Sequence, residues 1–360
     1  MDWGSCRNTQ ADINTIGGLK MVDKRLHLTT LVKALRAAGE DTRLRLLHLL
    51  GHGELNVKDL TVVLRQSQPR ISRHLKLLDE AGLVHRYREG SWVYCRLADR
   101  GRMSMICETI LEQLDCCDQA LASDLARLEA LKSARAGEAE RFFNAVADQW
   151  DKVRSLYISD IEVESAILRL VGDEQFCTML DLGTGTGRML ELFADQIEQG
   201  IGIDISHTML SHARTRLSSA GVGKCQLRHG DITNLSQERE SVDLVMLHQV
   251  AHYFDDPSPV FGEVVRVLKP GGRFVMVDFS SHTVEFLREE YAHRRLGFSR
   301  DQVVGWFNES GLQLVDATDL NPAGGAKKSG LTVSIWIGEL GGDGSADSGE
   351  QGLSGGELEA

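Results

Sequence analysis

The residues best suited to chemistry sit in MLDLGTGTGRML, Met179 to Leu190, where an apolar run carries Asp181 and then glycine at every second position, Gly183, Gly185 and Gly187. Glycine has no side chain to hold a bound molecule away from the backbone. A strand, Gly-x-Gly and a helix start are common to several kinds of nucleotide site, so the spacing must discriminate. A dinucleotide fingerprint needs glycine at the sixth position counted from Gly183, and here that position is Arg188. Asp181 would also repel a pyrophosphate. No Gly-Lys-Ser/Thr follows the loop, which excludes a phosphate loop as well.

Further acids follow at the ends of apolar runs. IGIDIS places Asp204 23 residues beyond Asp181, where a carboxylate can accept from both hydroxyls of a ribose and the neighbouring Ile205 can cover one face of an adenine. HGDIT places Asp231 to accept from an adenine amino group, with Ile232 against the ring. VDLVMLHQVAHYF ends a fourth strand at His248, lining the strand-end crevice where open α/β sheets bind ligands. S-adenosylmethionine (SAM) matches these features: its ammonium suits Asp181, and it has no phosphate. Methyl transfer from a sulfonium needs mainly alignment of the acceptor, and His252 and Tyr253 are the groups placed to take an acceptor proton. His282, Arg294 and Arg295 are candidates for lining an acceptor pocket. HQVAH, His248 to His252, lacks the glutamate of a zinc-protease motif, and no metal ligands are assigned.

A second constellation lies about a hundred positions earlier. In QSQPRISRHLKLL a helix opening at Pro69 turns Gln68, Arg70, Ser72, Arg73, His74 and Lys76 outward while Ile71, Leu75 and Leu78 face a core. Arg can read guanine bidentately, Gln can read adenine, and Ser and Lys can hold phosphates. Arg86 and Arg88, on the hairpin VHRYREGSWVYCRL, are placed to grip the DNA backbone or minor groove.

The elements that must position these groups divide the chain. Helical spacing over 28–38, 42–50, 56–65 and 69–80, followed by strands around Glu89-Gly90-Ser91, gives a winged helix-turn-helix plan. Residues 100 to 133 read as one long helix whose narrow apolar seam, Ile110, Leu114, Cys117, Leu121, Leu125, Leu128 and Leu131, suits pairing with a second copy or packing on its own domain. Ala134 to Glu140 reads as a polar connection, and an aromatic helix with Phe142, Phe143, Trp150 and Tyr157 follows. Strand and helix then alternate: 178–182, 185–197, 200–204, 207–219, 225–229, 242–247, 257–268, 273–278, 299–310 and 312–317, with Leu331 to Leu340 as a late antiparallel strand. This implies a mostly parallel sheet covered on both faces. The expected divisions are 1–26, an N-terminal extension; 27–99, the winged helix; 100–135, a dimerisation helix and linker; 136–340, the nucleoside-binding domain; and 341–360, a disordered acidic tail. Translation could begin at Met1 or Met21.

Charge follows the same division. The first 100 residues hold 17 Lys and Arg against 11 Asp and Glu, although the whole chain carries a net charge of -12. A basic front on an acidic body is the pattern of a DNA reader joined to something that is not one. Seven scattered cysteines without a CxxC pair argue against a disulfide framework or zinc ribbon, and no run approaches the length of a membrane span. A cytoplasmic protein is expected.

Two resemblances join these readings. Residues 142 to 320 resemble a class I SAM-dependent methyltransferase through Asp181, Gly183, Gly185, Gly187, Asp204, Asp231 and Ile232. That resemblance implies an α/β Rossmann-like domain with a mostly parallel seven-stranded sheet, binding SAM or S-adenosylhomocysteine (SAH). Leu28 to about Leu131 resembles the ArsR family of winged-helix regulators through SQPRISRHLKLLDEAGLV and REGSWVYCRL. That one implies a homodimer on a palindromic operator in double-stranded DNA. The chain departs from the family's ELCVCDL metal pattern, having ELNVKDL with Asn56 and Lys58 at the cysteine positions, so thiolate binding there is lost.

The combined expectation is a transcriptional regulator, a repressor, whose second domain binds SAM or SAH, with transfer of a methyl group to a small molecule open to it. One alternative is an active small-molecule methyltransferase that uses the winged helix mainly to dimerise. Another is an arsenic-responsive repressor acting through Cys107, Cys116 and Cys117. The absence of an Asn-Pro-Pro-Tyr type segment after the fourth strand disfavours methylation of DNA bases.

Overall fold

Alternation of apolar side chains along FCTMLDL and VDLVMLH leaves each strand apolar on both faces, the signature of strands covered on both sides by helices. In the computed structural model these segments are central strands. The structure describes residues 26–98, 101–115, 117–147, 160–321 and 331–341. The chain divides into two compact units, Met1–Tyr87 with Val93–Leu128, and Arg88–Trp92 with Glu129–Ala360.

In the first unit, helices α1 (Leu28–Ala38), α2 (Asp41–Leu50), α3 (Val57–Leu64) and α4 (Gln68–Glu80) precede the hairpin β2 (Val84–Glu89) and β3 (Trp92–Leu97), whose tip, Arg88–Trp92, is grouped with the second unit. A strand the sequence reading did not foresee, β1 (Leu55–Asn56), pairs antiparallel with β3 and completes a three-stranded sheet of order β1-β3-β2. Asn56 is the N-cap of α3: its side chain accepts from the Asp59 amide at 2.9 Å and donates to the Asp59 carboxylate at 2.7 Å. The position that departs from the metal-binding pattern therefore serves as a helix cap.

The long helix expected over 100–133 is two helices, α5 (Gly101–Glu112) and α6 (Gln119–Val146). Local side-chain bonds separate them. The Asp115 carboxylate accepts from the Cys117 amide, and that of Asp118 accepts from the amides of Ala120 and Leu121, capping α6. The connection expected at Ala134 to Glu140 lies inside α6, which accommodates Gly137. Of the apolar seam, Leu121 and Leu128 are buried in the unit that contains them. Between them the fully buried Asp124 binds Arg45 and Arg127, and Arg127 also donates to the Val63 carbonyl. The start of α6 thus packs on its own domain. Trp150, Tyr157, Cys116, the N-terminal extension up to residue 25 and the acidic tail from residue 342 lie outside the described residues.

The second unit contains α7 (Asp160–Val171), β4 (Phe176–Leu182), α8 (Arg188–Leu192), β5 (Ile197–Asp204), α9 (His207–Ser219), β6 (Cys225–His229), β7 (Val242–His248), α10 (Ser258–Val267), β8 (Leu268–Phe279), α11 (Phe286–Glu290), α12 (Arg300–Ser310), β9 (Leu312–Leu320) and β10 (Val333–Leu340). The strands form a seven-stranded sheet of order β6-β5-β4-β7-β8-β10-β9, parallel except that β10 runs antiparallel between β8 and β9. Alternate residues feed separate cores. Met179, Leu244 and Met246 pack on one face with Val163 and Ile167 of α7, while Leu180, Val245 and Leu247 pack on the other with Phe261 of α10 and Phe307 of α12. Two boundaries differ from expectation. Helix α8 ends at Leu192 and not at 197, because Ile197 already pairs with Phe176 as a strand residue. Lys269 to Gly272, which fall between the expected segments 257–268 and 273–278, lie within β8, where the register against β7 shifts.

Candidate functional site

The order of strands reverses at β4, whose neighbours β5 and β7 lie on opposite sides, and it is beyond the carboxyl ends of the strands at such a reversal that open α/β sheets form their ligand crevice. Asp181, 1% exposed, accepts a 2.6 Å hydrogen bond from the Thr184 hydroxyl and so braces the glycine loop from beneath. Gly183 has φ +68°, and a Cβ there would come within 2.5 Å of Val250 Cγ2. Gly187 has φ +80°, and a Cβ there would meet Ala213 of α9 at 3.1 Å. The alternating glycines let the loop turn tightly under the segment after β7 and bring α8 close to α9.

Asp204 ends β5 beside this loop. Its carboxylate accepts from the amides of Gly185 and Ser206, both at 2.8 Å. Burial raises its pKa above the usual aspartate value, against the opposing pull of those two hydrogen bonds. A carboxylate offers about four acceptor sites, so those two bonds leave capacity toward a ligand. Asp231 is exposed, with its carboxylate accepting from the amide and hydroxyl of Thr233, and Ile232 beside it is buried. Ile205 is half-buried, and its carbonyl meets His229 Nε2 at 2.9 Å. His248 is half-buried at the end of β7. All nine sequence-expected cofactor residues, from Asp181 to His248, thus belong to the loop or to segments at the carboxyl ends of β4, β5, β6 and β7.

The donor set fits SAM or SAH and does not fit a pyrophosphate. Acids close three strand or loop ends. Arg188, the cation in the loop's own helix, is committed to Glu164 by two hydrogen bonds of 2.8 and 2.6 Å and to Glu191 by one of 2.7 Å. An unpaired ammonium and two ribose hydroxyls are the groups such an acid-rich cradle binds.

The β7 and β8 side differs. His252 lies in a short 3-10 turn, Ala251–Tyr253, after β7 and is 2% exposed. Its Nδ1 stands 2.7 Å from the carboxylate of Asp278, near the end of β8. Asp278, fully buried, also accepts from the His252 and Phe279 amides. The amides of Arg294 and Arg295 both donate to the His252 carbonyl, which draws His293 over the imidazole with ring centres 4.0 Å apart. Tyr253 packs against His252, and Phe143 of α6 meets Tyr253 edge-on at 4.8 Å. Burial, with Asp278 nearby, pushes the Tyr253 phenol well above its ordinary range, so it is a poor candidate for taking a proton. Burial and the neighbouring His252 lower His282 to about 4 and hold His293 well below the ordinary histidine value. Arg294 is held by Asp255, which also binds Arg135 of α6.

Sequence reasoning missed Asp278, His293 and Asn144. A signal existed for Asp278: VMVDF repeats the strand-final acid of MLDLG and IGIDIS. None existed for Asn144, whose side chain accepts from the Ser206 hydroxyl at 2.7 Å and sets the end of α6 beside Asp204.

In the first unit, Gln68, Arg70, Arg73 and Lys76 are exposed on α4, with Ile71, Leu75 and Leu78 buried as expected. Ser72 is half-buried. His74 turns toward Glu40, its Nδ1 3.4 Å from that carboxylate, and leaves the outward face. On the hairpin, Arg86 is half-buried and Arg88 exposed. Burial pushes the thiol of Cys107 up to about 11, and its sulfur donates to the Leu83 carbonyl; Cys117 is exposed in the turn before α6. A thiol so raised is a weak soft-metal ligand at neutral pH.

A doubly covered, mostly parallel sheet with an acid-braced glycine loop defines a SAM-methyltransferase type of domain, and the four-helix-plus-hairpin unit a winged helix-turn-helix. Residues 180–276 match the family described as "Methyltransferase domain", and residues 40–86 that described as "Bacterial regulatory protein, arsR family". The chain therefore joins an arsR-type helix-turn-helix domain to a SAM-methyltransferase domain. Similar proteins include the demethylmenaquinone methyltransferase of Clavibacter sepedonicus, 30% identical over 161 residues, which cover 44% of this chain and 65% of that protein. The uncharacterized methyltransferase YcgJ of Bacillus subtilis is 32% identical over 100 residues, covering 28% of this chain and 40% of its own length. A SAM-dependent methyltransferase structure from Aquifex aeolicus has a TM-score of 0.44 at 16% identity, covering 55% of this chain and 98% of that one. The chain thus spans less than two thirds of the length of these two curated relatives.

Proposed function

We propose that the protein is a DNA-binding transcriptional regulator whose second domain binds SAM or SAH and methylates a small molecule. The observation that carries this reading is the presence, in one chain, of an acid-rich nucleoside cradle and a helix presenting Gln68, Arg70, Arg73 and Lys76 to solvent. Asp204 takes the ribose hydroxyls, Ile205 and Ile232 flank the adenine, Asp231 receives its amino group, Asp181 sits below the ammonium, and His248 borders the crevice. SAM supplies an electrophilic methyl group; His252 receives the acceptor proton.

The first unit reads DNA as a dimer on a palindromic operator. A dimer is the state that an arsR-type domain implies, and Leu28, Leu35 and Met105, 74%, 52% and 54% exposed, are apolar side chains available to such an interface. Arg70 and Arg73 face bases, while Lys76, Arg86 and Arg88 meet phosphates. Among the described residues no helix is long and apolar enough to cross a membrane, and a cytoplasmic location agrees with this function. Helix α6 begins in the first unit and ends in the second, where Asn144 touches Ser206 beside Asp204. Cofactor occupancy is thereby coupled to α6 and through it to DNA affinity.

The test is binding of the purified protein to its own upstream DNA, titrated separately with SAM, SAH and arsenite. A shift with the first two, lost in a folded Asp204→Ala protein, is expected. An unchanged response in that variant would show the coupling to be wrong, and a response to arsenite alone would favour the thiols.

A further inference from the structure

The pairing of His252 with Asp278 goes further than the cofactor cradle, because it says which kind of acceptor the domain methylates. Asp278 is acceptor-only as a carboxylate, so His252 Nδ1 carries a hydrogen toward it, and in the neutral imidazole Nε2 then presents a lone pair. That Nε2 is buried and has no hydrogen-bond partner among the described residues. An unpaired buried acceptor costs free energy until a donor reaches it. The surroundings limit what the donor is. Around the imidazole are rings: Tyr253 at 4.2 Å, His293 at 4.0 Å and Phe279 at 5.4 Å between centres, with Phe143 behind Tyr253. His293 and His282 are held neutral at physiological pH by burial. A charged acceptor would lose its hydration among such rings, whereas a neutral planar one stacks on them.

We infer that His252, positioned by Asp278, is the proton acceptor for a planar aromatic substrate bearing a phenol-type hydroxyl. This rests on the methyltransferase reading above. The O–H bond breaks, the proton forms a bond to Nε2, and the electron pair stays on oxygen as the nucleophile. The imidazolium is balanced by the Asp278 carboxylate, and the proton leaves to solvent after the product departs. SAM, when bound, would supply the methyl group, with SAH as the leaving group. His252 is the catalytic residue, and Asp278 a positioning residue that fixes the tautomer.

The proposal is tested without turnover, on the full-length protein saturated with SAH, using 4-nitrophenol as probe because its phenolate is coloured and its phenol is not. The bound probe is expected as phenolate at a pH where most of it is neutral in solution. His252→Asn should remove that ionisation, and Asp278→Asn should reduce the bound phenolate fraction by about tenfold or more. Calorimetric SAH affinity, expected to be unchanged in both variants, reports that they are folded. Failure of the probe to bind, binding as neutral phenol, or a phenolate signal that survives in His252→Asn would each overturn the inference while leaving cofactor binding standing. Failure of the wild-type protein to bind SAH would instead overturn the methyltransferase reading itself.

Discussion

The two halves of the crevice are built in different ways. On the β4 and β5 side, function rests on backbone: a glycine loop whose amide at Gly185 is bound by Asp204, braced by Asp181 through Thr184 three residues on. On the β7 and β8 side it rests on side chains drawn from distant segments, with His252, Asp278 and His293 meeting through ring stacking and one buried hydrogen bond. The first half can serve any ligand carrying the same adenosyl group. Under the proposed function the second has to match one acceptor, so its residues need not follow a shared motif.

The contrast is sharpest for Asp204→Ala. Two backbone amides lose their charged partner, each bond worth roughly 1.5–3 kcal/mol. SAH affinity by calorimetry should fall at least about hundredfold, while 4-nitrophenol binding on the other half is retained; equal loss of both would show that the halves are not separable. Gly183→Ala probes the place where they touch, since the new Cβ would lie 2.5 Å from Val250 Cγ2 at φ +68°. It should cost about 1–3 kcal/mol in urea unfolding, with part recovered by adding Val250→Ala and part, the backbone strain, retained.

A change confined to the first unit provides the control. Asn56→Ala removes the cap of α3 and should cost about 1 kcal/mol of stability without changing SAH affinity.

Acid sensitivity should belong to the β7 and β8 half. His282, which faces His252, Asp278, Glu285 and Arg288, titrates near 4 when folded and near 6.5 otherwise. Its folded pKa is lowered, so the unfolded chain binds more protons between those values. Stability should therefore be full above about pH 6.5 and fall as pH drops toward 4, with a slope of up to ~1.4 kcal/mol per pH unit for one proton. His282→Gln should flatten this slope; an unchanged pH profile would place the acid sensitivity elsewhere.

Much of this was legible in the chain. The glycine spacing, the acids at Asp181, Asp204 and Asp231, the recognition helix with its buried Ile71, Leu75 and Leu78, and the alternation of strands and helices all follow from periodicity and side-chain chemistry within a few residues. So did the exclusion of a pyrophosphate, which needed only Asp181 and the displacement of the third glycine. The break between α5 and α6 was harder to see, because Asp115 and Asp118 fit a helix face as readily as a cap until the backbone turns and their carboxylates accept from the amides of Cys117, Ala120 and Leu121.

Tertiary structure alone decided which histidine has a carboxylate behind it, that His74 turns back to Glu40, and that α6 reaches Ser206. Each of these depends on residues 26 to 62 positions apart in the chain. Local propensity acts over one or two turns of chain, whereas such pairs form only after burial of the sheet's two faces has fixed where distant segments stand.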